Sequence, residues 1–282
     1  MSAAGTPVLE ALEGAITAFA AAGVESPRLD AEVLLADVLD VDRARLLSET
    51  HELLVSGPAV RAFQDAVRRR AVEREPVAYI LGRRAFRRLE LRVDRRALIP
   101  RPETELLVEA GLELPTGARM LDVGTGSGAV ALALKDERPD LLVSGSDVIE
   151  AALALARENA ARLGLEVAFM QADLLDRNVP DEFDAILANL PYVAERERAG
   201  LPPEILRHEP PEALFAGEDG LDAIRALVAQ LRARPRVKHV ALEVGAGQAG
   251  AVAELLGAAG YEDVGSKQDL AGIERVVRAE RG

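Results

Sequence analysis

Met120-Leu121-Asp122-Val123-Gly124-Thr125-Gly126-Ser127-Gly128 is the stretch that decides the fold. Residues 120–123 read as a strand, the three glycines as a turn, and residues 129–134 as the start of a helix. Outward from this unit the alternation continues. Residues 141–144 read as a second strand, 151–163 as a helix, 167–169 and 185–187 as further strands, and 240–242 as a fifth. Helical segments are expected near 220–232 and 248–258, and the tail offers strands near 261–264 and 273–277. Seven strands separated mostly by helices predict an α/β, doubly wound, mostly parallel sheet, with ligands at the carboxyl ends of the strands.

Three of those carboxyl ends carry polar chemistry. Glycines at 124, 126 and 128 let backbone approach a ligand closely, and a helix N-terminus follows. Asp147, nineteen residues after Gly128, follows the second strand, where a carboxylate takes both hydroxyls of a ribose. Ala172-Asp173-Leu174 follows the third, where a side chain meets an adenine. The cofactor therefore contains adenosine. A dinucleotide site favours Gly-x-Gly-x-x-Gly facing a pyrophosphate. Here the spacing is Gly-x-Gly-x-Gly, with Asp122 two residues ahead of it, and a carboxylate suits an ammonium better than a phosphate. That favours S-adenosylmethionine over NAD, with Asp122, Gly124, Thr125, Gly126, Ser127, Gly128, Asp147, Asp173 and Leu174 as candidate contacts.

The part before this domain differs. Residues 8–81 carry apolar positions at helical spacing, with Gly23 ending a first helix and Ser26-Pro27 opening a second at N-cap and N1. Residues 60–72 form a third amphipathic stretch with Phe63 and Val67 on its apolar face. Between 85 and 99 the period falls to two, as in a β-hairpin, before the stiff Pro100-Arg101-Pro102. The reading is a helical unit over 1–83, a hairpin linker over 84–99 and a catalytic domain over 100–282.

Asn189-Leu190-Pro191-Tyr192 follows the fourth strand directly. A primary amide nitrogen is a poor nucleophile because its lone pair is delocalised. An enzyme that methylates it must orient the nitrogen, hold both hydrogens and exclude water. The Asn189 side-chain oxygen and the Leu190 carbonyl offer two acceptors that strengthen as positive charge builds on the attacking nitrogen. The Tyr192 ring suits a flat group, and Pro191 restricts Leu190 to extended backbone. The same constellation suits an exocyclic amino group of a nucleic-acid base, since that nitrogen is also planar and conjugated. A non-catalytic binder of the same cofactor is the third reading.

These motifs resemble the HemK/PrmC family, glutamine methyltransferases of peptide-chain release factors. Leu98-Ile99-Pro100-Arg101-Pro102-Glu103-Thr104-Glu105, the 122–128 motif and Glu209-Pro210 with Ala213-Leu214 carry the likeness in the catalytic part. Residues 76–82 and 26–32 carry it in the helical part. The resemblance implies a Rossmann-like methyltransferase domain with S-adenosylmethionine as donor. Asn189 would contact the cofactor, and Asn189, Leu190, Pro191 and Tyr192 would bind the glutamine of a Gly-Gly-Gln motif in bacterial class I release factors. It also implies release-factor recognition by the helical unit. A ribosomal-protein glutamine is a close variant. The family usually reads Asn-Pro-Pro-Tyr; Leu190 departs from it but keeps the required carbonyl.

Composition narrows the classes. The 282 residues are 49% hydrophobic and 29% charged, with no cysteine, so disulfides and thiolate metal sites are excluded. No apolar run approaches a membrane span or signal peptide, and a cytoplasmic monomer is expected. Residues 1–97 are neutral, with 15 basic and 15 acidic groups, so the net charge of -13 resides in the remainder. That acidity and 3% aromatic content argue against stable nucleic-acid binding. Arginines 68–70, 83, 84, 87, 88, 92, 95 and 96 read as a solvated helix face and hairpin, or else as a docking surface for an acidic or RNA-bound partner. His51, His208 and His239 lack metal spacing, and Arg207 with Glu209 reads as a structural ion pair.

Overall fold

Strands that helices separate along the chain can join one sheet only by crossing over, which makes them parallel. In the computed structural model, which describes residues 5–282, β5 (Arg119–Val123), β6 (Leu142–Asp147), β7 (Ala168–Gln171), β8 (Ala185–Ala188) and β9 (His239–Glu243) pair in parallel. The full order is β10-β11-β9-β8-β5-β6-β7, where β10 (Glu262–Gln268) and β11 (Glu274–Glu280) form an antiparallel hairpin on the β9 edge. This is the seven-stranded, mostly parallel sheet expected. The first strand and both later helical segments lie within a few residues of their expected places, while β10 and β11 run longer than the apolar cues.

Side chains alternate between two cores, as a two-sided sheet requires. Leu121, Val123, Ile186, Ala188, Val240 and Leu242 pack with Ile224, Leu227, Val228, Val252 and Leu256 of α10 (Asp222–Leu231) and α11 (Ala249–Ala258). On the other face Met120, Ala185, Leu187 and Ala241 pack with α6 (Glu105–Leu112) and α7 (Ala129–Glu137), chiefly through Leu107, Val108, Leu132 and Leu134. Burying each of the larger of these side chains, Val, Ile, Leu or Met, stabilises the fold by about 1.5–3 kcal/mol before entropy is counted.

The hairpin differs from expectation. Its strands are β3 (Arg83–Phe86) and β4 (Leu89–Arg92), while 93–99 keep buried Val93, Ala97 and Ile99 without forming a strand. Nor is it a linker: Phe86, Leu89 and Leu91 join the α6–α7 core, and the chain divides at Gly82/Arg83. Its turn residue Arg87 takes φ 51°. Glu105 accepts from the Arg87 N–H at 3.1 Å, and Glu137 accepts twice from its guanidinium, both at 2.7 Å. Asn159 on α8 (Glu150–Leu163), fully buried, accepts from Arg92 N at 2.7 Å and donates to the carbonyls of Arg92 and Ser127, both at 3.0 Å.

The helical unit contains α1 (Val8–Ala21), α2 (Pro27–Val38), α3 (Arg43–Ser48), α4 (Pro58–Arg68) and α5 (Val77–Leu81), with a short antiparallel pair, β1 (Thr6–Pro7) and β2 (Leu54–Val55). Its core is Val8, Leu12, Phe19, Leu34, Leu35, Leu46, Val55 and Phe63. Gly23 follows α1 at φ 71°, and Ser26 sits at the N-cap of α2, although its hydroxyl makes no capping bond. One segment joins this unit from far along the chain: α9 (Pro203–His208). Arg70, 7% exposed, donates to Asp30 at 2.7 Å and to Glu204 of α9 at 2.9 Å, and Arg74 donates to the same Glu204 oxygen. The basic cluster is thus largely paired: Arg68 with Asp65, Arg69 with Glu75, Arg83 with Glu90 and Arg96 with Glu158. Most of these charges are balanced locally by carboxylates, and Arg70 is buried rather than solvated.

Asn159→Ala removes three hydrogen bonds, one fully and two partly buried, between hairpin, helix and glycine turn. It is expected to lower stability by about 2–4 kcal/mol in urea unfolding of the full chain.

Candidate active site

Parallel register fixes where the loops emerge. Val123 lies opposite Ser146 on one side and Ala188 on the other, Ala188 lies opposite Leu242, and Asp147 lies opposite Gln171. The glycine turn, Asp147, residues 172–174, the 189–192 motif and Glu243 therefore leave one edge of the sheet side by side.

In the turn, Gly124, Gly126 and Gly128 all have positive φ, while Thr125 and Ser127 are buried. The N–H groups of Gly124 and Thr125 both donate to the Ser146 carbonyl, at 2.8 and 2.9 Å. Gly124 also needs its missing side chain: a Cβ there would lie 3.1 Å from Leu190 Cδ2 and 3.7 Å from the Asn189 carbonyl oxygen. This contact brings the first and fourth strand ends together. Asp122 is 1% exposed, and its Oδ2 accepts from Thr125 Oγ1 at 2.6 Å and from Ala131 N at 3.2 Å. Its carboxylate holds the turn and the start of α7, which differs from the ligand ammonium contact expected of it.

Asp147 accepts from Gly126 N at 3.0 Å and from Ile149 N at 2.9 Å, one bond to each oxygen, which leaves lone pairs on both. Its neighbour on the next strand end, Asp173, is exposed, and Leu174 is half-buried with φ 54°. A leucine in the left-handed region is strained, and such strain concentrates at ligand sites.

Asn189 donates from Nδ2 to Thr104 Oγ1 at 3.1 Å. Leu190 is buried in the α10–α11 core. The Tyr192 hydroxyl donates to Glu243 Oε1 at 3.3 Å, and its main-chain carbonyl accepts from Gln248 Nε2 at 3.0 Å. Gly220 is pressed against the same carbonyl: with φ 80°, a Cβ there would stand 2.1 Å from the Tyr192 oxygen. Burial, with Glu243 alongside, pushes the Tyr192 phenol well above its ordinary value. The four motif residues are thus held from both ends.

Gln248 and Gly220 carried no sequence signal of their own, Thr104 was marked only as part of the 98–105 segment that carries the family likeness, and Glu243 only by its place at a strand end. Arg207 and Glu209 do not pair. Glu209, 4% exposed, accepts from Arg101 at 2.5 Å and from Ile99 N at 3.2 Å, tying down the 98–105 segment, while Arg207 is exposed. His239 begins β9, at the sheet edge away from these loops, and His208 in the helical unit meets the Glu73 carbonyl at 2.8 Å. Among the described residues no group of His, Cys, Asp or Glu could hold a metal, and no helix is long and apolar enough to cross a membrane.

The family model for the PrmC N-terminal domain matches residues 10–82, and that for the methyltransferase small domain matches 102–214. A release factor glutamine methyltransferase of Cereibacter sphaeroides is 43% identical over 274 residues, 96% of this chain and 97% of its own. One from Deinococcus radiodurans is 42% identical over 92% of this chain and 93% of its own. The chain belongs to the release factor glutamine methyltransferase family. A methyltransferase structure from Pyrococcus furiosus, 18% identical and covering 69% of this chain and 89% of that one, superposes with a TM-score of 0.53, which speaks for the fold.

A member of this family must accept a cationic donor, and the strand-end residues fit one. Gly124 and Gly126 expose backbone, Asp147 keeps free lone pairs, and no basic side chain among residues 122–128, 147 and 172–174 would favour a pyrophosphate. Burial also raises the carboxyls of Asp122 and Glu243 to about 7, against ordinary values of 3.8 and 4.5. The folded protein then binds more protons than the unfolded chain between about pH 4 and 7, so stability falls as pH rises through that window.

Without ligand, the urea midpoint is expected to drop between pH 5 and 7.5, and to drop less in the Asp122→Asn, Glu243→Gln double variant. Gly220→Ala is expected to displace the Tyr192 carbonyl and to lower methyl transfer more than it lowers the unfolding temperature.

Proposed function

We propose that the chain transfers a methyl group from S-adenosylmethionine to the side-chain amide nitrogen of the glutamine in the Gly-Gly-Gln motif of bacterial class I release factors. The observation that carries this reading is Asn189-Leu190-Pro191-Tyr192 standing directly against Gly124, so that donor loop and amide acceptors share one edge. The bound cofactor supplies an electrophilic methyl on a positively charged sulfur. In this reading the backbone of Gly124 to Gly128 receives its amino-acid part, Asp147 its ribose hydroxyls, and Asp173 with Leu174 its adenine. Asp122 serves by shaping the turn.

The chain's own part in the reaction is orientation. Asn189 Oδ1 and the Leu190 carbonyl accept the two amide hydrogens of the glutamine, which fixes the amide plane so that the lone pair, perpendicular to it, faces the methyl group. Both acceptors strengthen as the nitrogen becomes positive, lowering the barrier. Tyr192, fixed by Glu243 and Gln248, covers the flat amide and excludes water. Leu190 replaces the usual proline without loss of the carbonyl, and its buried side chain supplies the stiffness that a proline ring would otherwise give. The nitrogen sheds its proton after the N–C bond forms, so no strong base is needed. The helical unit, up to Gly82, serves to recognise the release factor, and the acidity of the remainder disfavours a nucleic-acid substrate.

With purified release factor, Asn189→Ala is expected to lower kcat by about 100-fold or more, with a smaller loss of donor affinity. Asp147→Ala is expected to weaken donor binding by about 10-fold or more in calorimetry, since a charge-assisted hydrogen bond contributes about 1.5–3 kcal/mol. A wild-type protein that binds the donor but leaves the release factor unmethylated would contradict this assignment.

A further inference from the structure

Gln248 stands at the N-cap of α11, yet its side chain makes no capping bond there. It reaches three backbone groups instead. Its Oε1 accepts from Gly245 N at 2.8 Å, and its Nε2 donates to the carbonyls of Tyr192 and Asp219 at 3.0 and 3.2 Å. The first of these can only donate and the other two can only accept, so a single orientation of the amide satisfies all three. The space around it is equally restricted. A Cβ on Gly220 would stand 2.9 Å from Gln248 Nε2, and one on Gly245 would stand 3.0 Å from Oε1 and 3.3 Å from Tyr192 Cδ2. One side chain thus joins the loop after β8, the loop before α10 and the loop between β9 and α11.

The bond to Tyr192 completes a clamp. The peptide unit between Tyr192 and Val193 is held on both sides, its oxygen by Gln248 and its N–H by the Leu214 carbonyl at 2.9 Å. A rigid plane gripped at both of its polar groups has no free rotation left. Upstream lie Pro191, whose ring fixes φ, and Leu190, which that ring keeps extended. Few torsions therefore separate the clamped plane from the Leu190 carbonyl, one of the two acceptors for the substrate amide. The Leu190 side chain packs in the same core as Val252 and Leu256 of α11. That helix accordingly holds the motif twice, through the core beneath Leu190 and through the amide at its N-cap.

We propose that Gln248 is a positioning residue for methyl transfer, which aims the Leu190 carbonyl and the Tyr192 ring at the substrate amide by pinning the Tyr192–Val193 peptide. The inference rests on the amide-methylating function proposed above. Gln248 lies 56 residues after Tyr192 and touches it only through the main chain and the neighbouring glycines.

The test pairs kinetics with a direct view of that peptide in the full-length protein. The chain's three tyrosines precede Ile80, Val193 and Glu262. Carbon-13 at tyrosine carbonyls with nitrogen-15 in valine therefore yields one correlated signal, that of Tyr192–Val193. Gln248→Met keeps the side-chain length and removes all three hydrogen bonds, while Gln248→Glu keeps an acceptor for Gly245 and loses the NH2. In both, the Tyr192 carbonyl should move upfield, as a carbonyl does on losing a donor. Their kcat with release factor should fall about 10- to 100-fold, with affinity for S-adenosylmethionine close to wild type. Leu256→Ala, which empties a buried position on the same helix, should lower the unfolding temperature while leaving the carbonyl signal and the rate of the folded protein in place. A moved carbonyl with kcat within about threefold of wild type overturns the proposal, as does a lost rate with the carbonyl unmoved. An equal loss of rate in Leu256→Ala overturns it too. A wild type that binds the donor and methylates no release factor contradicts the proposed function, and the positioning role falls with it; an active wild type matched in rate by both glutamine variants contradicts the positioning role alone.

Discussion

Five adjacent strands run parallel, and every loop that leaves their shared carboxyl edge must find partners for its backbone without the help of a hairpin. The molecule meets this constraint by making the loops partners of one another. The glycine turn hangs from the Ser146 carbonyl, Asp147 reaches back to Gly126, the Tyr192 carbonyl is held by Gln248, and Asn159 joins the turn to the hairpin. Removing any one of them loosens its neighbours. The approach of Gly124 to Asn189 and Leu190 then follows from packing, because the strands bearing them are hydrogen-bonded neighbours.

Electrostatics at that edge has a consistent sign. Asp122, Asp147 and Glu243 all have raised pKa values, and for each the largest cause is burial. Gathering carboxylates in a low-dielectric crevice is costly unless something positive arrives, and a sulfonium donor with an ammonium group is such a ligand. The unliganded protein therefore holds its site at the expense of stability, which is how functional residues commonly stand in a fold.

The alternation of strands and helices was legible because its signal is local: apolar runs, glycine turns and capping residues lie within a few positions of each other. The glycine turn, Asp147 and the 189–192 motif could be located for the same reason. What escaped depended on contacts distant in sequence. Thr104 was marked only as part of the 98–105 segment, and Asn159 not at all, because their partners lie far away in sequence. The hairpin was given seven residues too many because Val93, Ala97 and Ile99 are buried without ladder bonds, and burial alone imitates a strand pattern. Arg207 was paired with Glu209 by proximity along the chain, whereas Glu209 turns to Arg101, 108 residues earlier. Nothing local marked α9 as part of the helical unit; a buried Arg70 and its two carboxylates draw it there.

The central claim is that this edge methylates a planar amide on a protein. The most direct measurement is fragmentation mass spectrometry of an unmethylated release factor after incubation with the purified chain and S-adenosylmethionine. The account predicts a single added methyl, located on the side-chain nitrogen of the Gly-Gly-Gln glutamine. A methyl found on another residue, or only on added nucleic acid, would contradict it.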